Sequence, residues 1–196
     1  MKSVVYIIPG FFEYPDNYGY VEISKMFKAR GFEVVIIRVD WESKDKIFYG
    51  FVNDFIEYYK KNNIYDNVYV LGFSAGAWIS FMASLVIKPK CVILCSLSPF
   101  FNEDMLDWKE KWITPIGYKK FETIKNYIFA NFVKLIDYRI ILLYGEYDNE
   151  VVKNRSIMAN KLLKNSKLVF IRKAEHDIRQ AEYLESIKKI ISEENL

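Results

Sequence analysis

Apolar runs and amphipathic stretches alternate along most of the chain. The runs are short, rich in β-branched residues and bounded by Gly, Pro or Asn, which is typical of strands buried on both faces of a sheet. Six runs predict strands, at residues 4–8, 32–39, 68–71, 91–97, 139–144 and 168–171. Between them, apolar residues recur at helical spacing. This alternation predicts a single α/β domain over residues 1–196, with a doubly wound, mainly parallel six-stranded sheet and helices on both faces.

The pattern changes between the fourth and fifth predicted strands. Residues 100–117 mix aromatic side chains with acids and lysines and show no clean period, whereas residues 119–136 have the spacing of a helix. We expect residues 100–136 to form a small helical insertion on the α/β body.

The composition excludes several classes of protein. Hydrophobic residues make up 52% of the 196, and the net charge is +3. The lysines are scattered among acids, so we expect no nucleic-acid partner. Residues 67–87 are apolar and nearly long enough to cross a membrane. Gly72, Ser74 and Gly76 interrupt that run, so a buried strand turning into a helix explains it better.

The two cysteines point to a reducing compartment. Cys91 and Cys95 fall in one predicted strand, which puts them about 13 Å apart, too far for a disulfide. We interpret both as small core residues and predict a cytoplasmic protein. A single histidine with two cysteines disfavours a transition-metal site. The opening apolar run lacks the small-residue cleavage site of a signal peptide.

The stretch Gly72-Phe73-Ser74-Ala75-Gly76 carries the strongest chemical signal. It joins a predicted strand to a predicted helix. A serine between two glycines at such a turn is typical of a nucleophile whose hydroxyl is raised above the sheet edge. The turn strains the serine backbone and requires flanking residues without a Cβ. A tight turn that uses small residues only for packing is the alternative.

Two more candidate residues follow the fifth and sixth predicted strands. Asp148 lies in Gly145-Glu146-Tyr147-Asp148, and the chain's one histidine, His176, lies in Ala174-Glu175-His176. Ligands of parallel sheets bind beyond the carboxyl ends of the strands, so Ser74, Asp148 and His176 are expected at one edge. His176 would accept the Ser74 proton and Asp148 would orient the imidazole. Weaker candidates for the acid are Glu146, Glu150, Glu103 and Asp104.

An oxyanion beside the serine would need two converging N–H donors. One is expected from Ala75, directly after Ser74. The other is expected from the loop after the first strand, where Gly10 leaves the backbone uncovered; we favour the Phe11 N–H, with Phe12 next. Gly10 could instead serve only as the turn that ends the strand.

These features resemble the α/β-hydrolase superfamily over nearly the whole chain. The matching pieces are Gly72-Phe73-Ser74-Ala75-Gly76, Gly145-Glu146-Tyr147-Asp148, Glu175-His176 and Pro9-Gly10-Phe11. The chain opens on what resembles the family's third strand, so we expect a sheet without the family's two leading strands, in the spatial order 2-1-3-4-5-6. Pro9 stands where many members carry a histidine before the oxyanion-hole glycine, which leaves the exact second donor open.

The resemblance implies a serine hydrolase of esterase type that needs no cofactor and acts on a small-molecule acyl substrate. Residues 100–136 would then form a lid over the site. An apolar acyl pocket is expected from aromatic residues of this segment and of the first loop: Phe12, Phe100, Phe101, Trp108 and Trp112. Those aromatics could equally pack the lid onto the body. A peptidase, thioesterase or acyltransferase would use the same residues, and a non-catalytic binding protein is a further alternative. Nucleotide-binding glycine motifs are not found.

Overall fold

The computed structural model describes residues 1–43, 46–108, 113–114 and 117–196. Its centre is a six-stranded, fully parallel sheet in the order β2-β1-β3-β4-β5-β6, which confirms the predicted fold class and strand order. The strands are β1 Ser3–Ile8, β2 Glu33–Ile36, β3 Asn67–Phe73, β4 Cys91–Cys95, β5 Arg139–Gly145 and β6 Ser166–Ile171.

Helices cover both faces of the sheet. In chain order they are α1 Tyr18–Lys28, α2 Phe48–Asn62, α3 Ala75–Ile87, α4 Tyr118–Thr123, α5 Phe129–Phe132, α6 Glu150–Leu162 and α7 Ala181–Glu193. Helices α2, α3 and α6 share one hydrophobic core with the insertion, while α1 and α7 build the core of the opposite face. The four inner strands β1, β3, β4 and β5 are buried on both faces and are mostly apolar, which is typical of parallel sheets.

The strand register brings the loops that carry the candidate residues to one edge. Gly72 pairs with Ile8 of β1, and Phe73 pairs with Cys95 of β4. Gly145 at the end of β5 pairs with Ile171 at the end of β6. Because all strands are parallel, the loops after β1, β3, β4, β5 and β6 all open on the same side.

The insertion differs from its sequence-based prediction. The helical spacing of residues 119–136 predicts one continuous stretch, but the structure breaks it into α4, a 3₁₀ turn Ile124–Asn126, α5 and a 3₁₀ turn Val133–Leu135. Tyr127 and Ile128 between them are extended. The break turns Ile124, Tyr127 and Phe129 into the core, so tertiary burial overrides the local helical preference.

A buried ion pair ties the insertion to the body. Asp104 lies in the 3₁₀ helix Asn102–Asp107, and its Oδ1 accepts hydrogen bonds from Arg155 Nε at 2.9 Å and Nη2 at 2.5 Å. The Arg155 guanidinium also lies over the rings of Phe101 and Phe129, at 5.1 and 4.8 Å. Asp104 Oδ2 has no hydrogen-bond partner among the described residues. Within the described part of the chain, no helix combines the length and apolar character needed to cross a bilayer.

Candidate active site

Ser74 occupies a strained turn between β3 and α3. Its backbone has φ 54° and ψ −120°, a conformation that a residue with a Cβ rarely adopts. Close packing explains the two glycines around it. A Cβ on Gly72 would lie 2.3 Å from the Gly76 carbonyl oxygen, and one on Gly76 would lie 2.1 Å from the Ile8 carbonyl oxygen. Both contacts are impossible, so the turn forms only with glycine at these positions.

Backbone hydrogen bonds hold the strained turn in place. The Ser74 N–H donates to the Cys95 carbonyl at 2.8 Å, while the Ser74 carbonyl accepts from the Ala77 N–H at 3.0 Å. Helix α3 begins at Ala75, and the first N–H groups of a helix have no partner inside it. The Ala75 N–H therefore remains available next to the serine hydroxyl.

The three residues predicted from the strand ends form one hydrogen-bonded chain. His176 Nε2 lies 2.9 Å from Ser74 Oγ, and His176 Nδ1 lies 2.5 Å from Asp148 Oδ1. With the proton on Nδ1 directed at the carboxylate, Nε2 is free to accept the serine proton. The His176 side chain is 35% exposed and the Asp148 side chain is fully buried. This geometry lets a serine hydroxyl be deprotonated by a histidine that an acid orients.

The loops carrying Asp148 and His176 are bonded to each other. The Glu146 N–H donates to the Ile171 carbonyl at 2.9 Å, and the Tyr147 N–H donates to the Ala174 carbonyl at 2.8 Å. On its other side the imidazole lies against the ring of Phe73, with centroids 4.9 Å apart. The imidazole is therefore held between the β5 loop and the residue that precedes Ser74.

Two residues that the sequence did not single out surround Asp148. Ser96 Oγ donates to Asp148 Oδ2 at 2.7 Å, and the Gly145 N–H donates to the same oxygen at 2.8 Å. The Tyr183 hydroxyl lies 3.4 Å from Oδ2 and contacts Ser96 Oγ closely. Burial alone would raise the pKa of Asp148, but the hydrogen bonds from His176, Ser96 and Gly145 outweigh it and hold that pKa below its usual value.

Of Ser96 and Tyr183, only Ser96 could have been identified from the sequence, by its position at the end of a strand. Ser96 directly follows β4, at the same edge as the other candidates. Tyr183 lies inside α7, where nothing in the sequence distinguishes it from a core aromatic. Another residue after β4, Ser98, was also missed: its Oγ lies 3.4 Å from Ser74 Oγ.

The loop after β1 is a tight turn with two available donors. The Glu13 N–H bonds to the Gly10 carbonyl at 3.0 Å, and Phe12 has φ 57°. The Gly10 N–H is occupied by the Tyr20 hydroxyl at 2.8 Å and by Glu13 Oε2 at 3.0 Å. The N–H groups of Phe11 and Phe12 have no acceptor among the described residues. Either one can serve as the donor predicted from this loop.

The aromatic residues predicted to line an acyl pocket lie in different environments. Phe100 is stacked on Phe48 at 4.5 Å, and Phe101 is completely buried in the core. Both pack the insertion onto the body, because their rings fill the space over α2 and α3. Trp108 is partly buried and its Nε1 donates to the Pro99 carbonyl at 3.0 Å. Phe12 is 50% exposed, and Trp112 lies outside the described residues.

The alternative acids are engaged elsewhere. Glu146 Oε2 accepts from the Lys173 N–H at 2.7 Å, and Glu150 pairs with Lys153. Glu103 accepts the N–H groups at the start of α5 and Asp104 binds Arg155. Among the described residues, no group of three or more His, Cys, Asp or Glu side chains could hold a metal ion. Cys91 and Cys95 are buried core thiols, and burial raises the pKa of Cys91 to about 12.

Solved structures share this architecture, although neither a family model nor a curated protein matches the sequence. Est1E from Butyrivibrio proteoclasticus with bound ferulic acid has a TM-score of 0.83 at 17% identity, over 98% of this chain and 88% of that one. Mouse α/β hydrolase domain-containing protein 10 has a TM-score of 0.80 at 11% identity, over 98% and 89%. The Pyrococcus furiosus esterase PF2001 has a TM-score of 0.71 at 15% identity, over 98% and 80%. The chain has the α/β-hydrolase fold.

Proposed function

We propose that the protein is a serine hydrolase that cleaves a carboxylic ester or a related acyl bond through Ser74, His176 and Asp148. The observation that carries this proposal is the continuous hydrogen-bonded chain from Ser74 Oγ through both nitrogens of His176 to Asp148 Oδ1. The strained turn of Ser74 supports it, because such strain persists at functional sites where the surroundings enforce it.

The first half-reaction acylates the enzyme. Ser74 Oγ attacks the substrate carbonyl carbon while His176 Nε2 takes the hydroxyl proton. The oxygen of the tetrahedral intermediate becomes negative and is held by the N–H groups of Ala75 and Phe11, with Phe12 as the alternative donor. His176 then gives its proton to the leaving alcohol as the carbon–oxygen bond breaks, which leaves the acyl group on Ser74.

The second half-reaction restores the enzyme. A water molecule takes the place of the alcohol, loses a proton to His176 and attacks the acyl carbon. Breaking the bond to Ser74 Oγ returns that proton to the serine and releases the acid. Asp148, held ionised by its donors, stabilises the imidazolium in both halves.

The segment 100–136 is proposed as a lid beside this site. It leaves the sheet after β4, next to Ser74, and returns to β5, whose end leads to Asp148. Phe12 and Trp108 are the proposed contacts with the acyl group, while Phe100 and Phe101 anchor the segment. Thioesterase, peptidase and acyltransferase activities would follow the same course with a different leaving group or acceptor.

Labelling with a fluorophosphonate probe tests the proposal. We expect one probe per chain, located on Ser74 by peptide mapping, and no label in the His176→Ala variant. Wild-type protein that is folded but unlabelled would contradict an activated serine. Ester and thioester panels with increasing acyl length would then define the substrate. Because Est1E was solved with ferulic acid, the panel includes hydroxycinnamate esters.

A further inference from the structure

The two carboxylate oxygens of Asp148 have different partners. Among the described residues, Oδ1 is hydrogen-bonded to His176 alone, at 2.5 Å, whereas Oδ2 is surrounded by Ser96 Oγ, the Gly145 N–H and the Tyr183 hydroxyl. Two donors on one oxygen, the Ser96 hydroxyl and the Gly145 N–H, fix the rotation of the carboxylate plane. The groups bonded to Oδ2, on the side of the carboxylate away from His176, therefore determine how Oδ1 is oriented toward the imidazole.

The proton positions on that far side follow from the contacts. Ser96 has one hydroxyl proton and directs it at Asp148 Oδ2, 2.7 Å away. Its oxygen can then only accept in the close contact with Tyr183, so the phenol donates to Ser96. Tyr183 keeps its proton because burial raises the pKa of this phenol well above its usual value. The hydrogen bonds run from Tyr183 to Ser96 to Asp148.

The backbone of Ser96 is held in an unfavourable conformation. Its φ is 49°, in the left-handed region, although the residue carries a Cβ. The Ser96 N–H donates to the Leu143 carbonyl at 2.8 Å, and the residue is completely buried. Hydrogen bonds to both the backbone and the hydroxyl hold Ser96 in this strained conformation. Backbone strain that the surrounding structure maintains is typical of functional sites.

Tyr183 also contacts Phe73, the ring that lies against the imidazole of His176. Its ring packs edge-on against Phe73 with centroids 5.9 Å apart, and Phe73 lies against His176. One buried tyrosine on α7 thus contacts the support of Asp148 and the support of His176.

We infer that Ser96 and Tyr183 are positioning residues: their hydroxyl pair orients the Asp148 carboxylate, and through it fixes the tautomer and direction of His176. The effect on reaction rate rests on the proposed function. The effect on His176 itself is a property of the folded chain and can be measured without any turnover.

The chain contains a matched control pair. Ser84 Oγ lies 2.7 Å from the Tyr138 hydroxyl, so this is also a buried serine bonded to a tyrosine. Ser84 is ten residues after Ser74, about 15 Å along α3. The test variants are Ser96→Gly, which suits the positive φ and so protects the fold, and Tyr183→Phe. Their controls are Ser84→Ala and Tyr138→Phe.

Two measurements on untagged protein test the inference. The rate constant for fluorophosphonate labelling of Ser74 should fall about tenfold in Ser96→Gly and in Tyr183→Phe, the size expected for one hydrogen bond to a charged group. Both controls should stay within twofold of wild type. The double variant should label no more than about twofold slower than Ser96→Gly alone, because Tyr183 acts mainly through Ser96.

Proton NMR gives the second readout. The chain has one histidine, so the downfield Nδ1–H signal that disappears in His176→Ala belongs to His176. We expect that signal to broaden in both test variants and to persist in both controls.

The inference is wrong if both test variants label at the control rates and keep the His176 signal unchanged. Failure of the proposed function looks different. In that case wild-type protein is not labelled, yet the His176 signal still depends on Ser96 and Tyr183.

Discussion

Two buried carboxylates, one in the sheet body and one in the insertion, behave in opposite ways. Asp148 and Asp104 are 3% and 6% exposed, and each contacts a basic side chain. The pKa of Asp148 is nonetheless lowered, whereas burial raises the pKa of Asp104 to about 6 in spite of the adjacent Arg155. Burial and an adjacent basic side chain therefore do not by themselves decide the direction in which the pKa of a carboxyl shifts.

The distribution of donors explains the difference. Asp148 has donors on both oxygens, and its Oδ2 has two at hydrogen-bonding distances below 3 Å. In Asp104, both bonds from Arg155 go to Oδ1, and Oδ2 has no hydrogen-bond partner within the described part of the chain. An ionised carboxylate is stable in the interior when both oxygens are solvated by the protein. Asp148 in the sheet body has hydrogen bonds to both oxygens, whereas Asp104 in the insertion has them to only one.

The largest expected effect comes from removing the charge of Asp148. Asp148→Asn should slow ester hydrolysis and Ser74 labelling by roughly 10³- to 10⁴-fold, because an amide favours the wrong histidine tautomer. The measurements are kcat/KM on an activated ester and the labelling rate constant. Glu150→Gln is the control, since the exposed Glu150 side chain pairs with Lys153 on the surface. Equal rate constants for Asp148→Asn and Glu150→Gln would show that Asp148 does not take part in the reaction.

The next effect is on stability and tests the anchor. Arg155→Met should lower the free energy of unfolding by about 3–5 kcal/mol, because it leaves Asp104 buried without its cation. Urea unfolding measures the change. Lys60→Met, which breaks the exposed pair with Glu57, should cost less than about 1 kcal/mol. Equal costs for the two variants would mean that the buried pair is not an anchor.

The pH dependence of stability should have opposite signs at the two carboxylates. Native Asp104 keeps its proton up to about pH 6, while the unfolded chain releases it near pH 4. Wild type should therefore lose up to about 3 kcal/mol of stability relative to Asp104→Asn as the pH rises from 4 to 6. Because the pKa of Asp148 is lowered, wild type should lose stability relative to Asp148→Asn as the pH falls below about 4.

Urea unfolding of wild type, Asp104→Asn and Asp148→Asn between pH 3 and pH 7 measures how the free energy of unfolding of each protein changes with pH. Parallel curves would show that the two carboxylates are equivalent, contrary to the donor arrangement described above.

The smallest effect concerns a hydroxyl that lacks a partner. Ser156, next to Arg155 in α6, is completely buried, and its Oγ has no hydrogen bond to any residue that the structure describes. Ser156→Ala should stabilise the protein by up to about 1 kcal/mol, since it removes an unsatisfied group and favours the helix. Ser84→Ala should destabilise it, because Ser84 Oγ bonds to Tyr138. Thermal melting compares the two, and a loss of stability in Ser156→Ala would contradict the expectation.

The body could be predicted because its signals are local. Each inner strand is a short apolar run, and each candidate residue lies in the connection that follows a strand, so topology brings Ser74, Asp148 and His176 together. The insertion could not be predicted in the same way. The helical spacing of residues 119–136 is broken at Tyr127 because burial of aromatic rings outweighs local preference. Phe100 and Phe101 looked suited to a pocket, but hydrophobicity does not distinguish a core ring from a pocket ring.

Strained backbone at the functional edge has a consequence for selection. Non-glycine residues with positive φ follow four of the six strands there: Phe12, Ser74, Ser96 and Lys173. A population selected only for heat resistance would gain by replacing them with glycine or asparagine. In a population selected for catalytic turnover as well, replacement should occur at Lys173 but not at Ser74. The order in which these four positions change under laboratory evolution would therefore rank their importance to function.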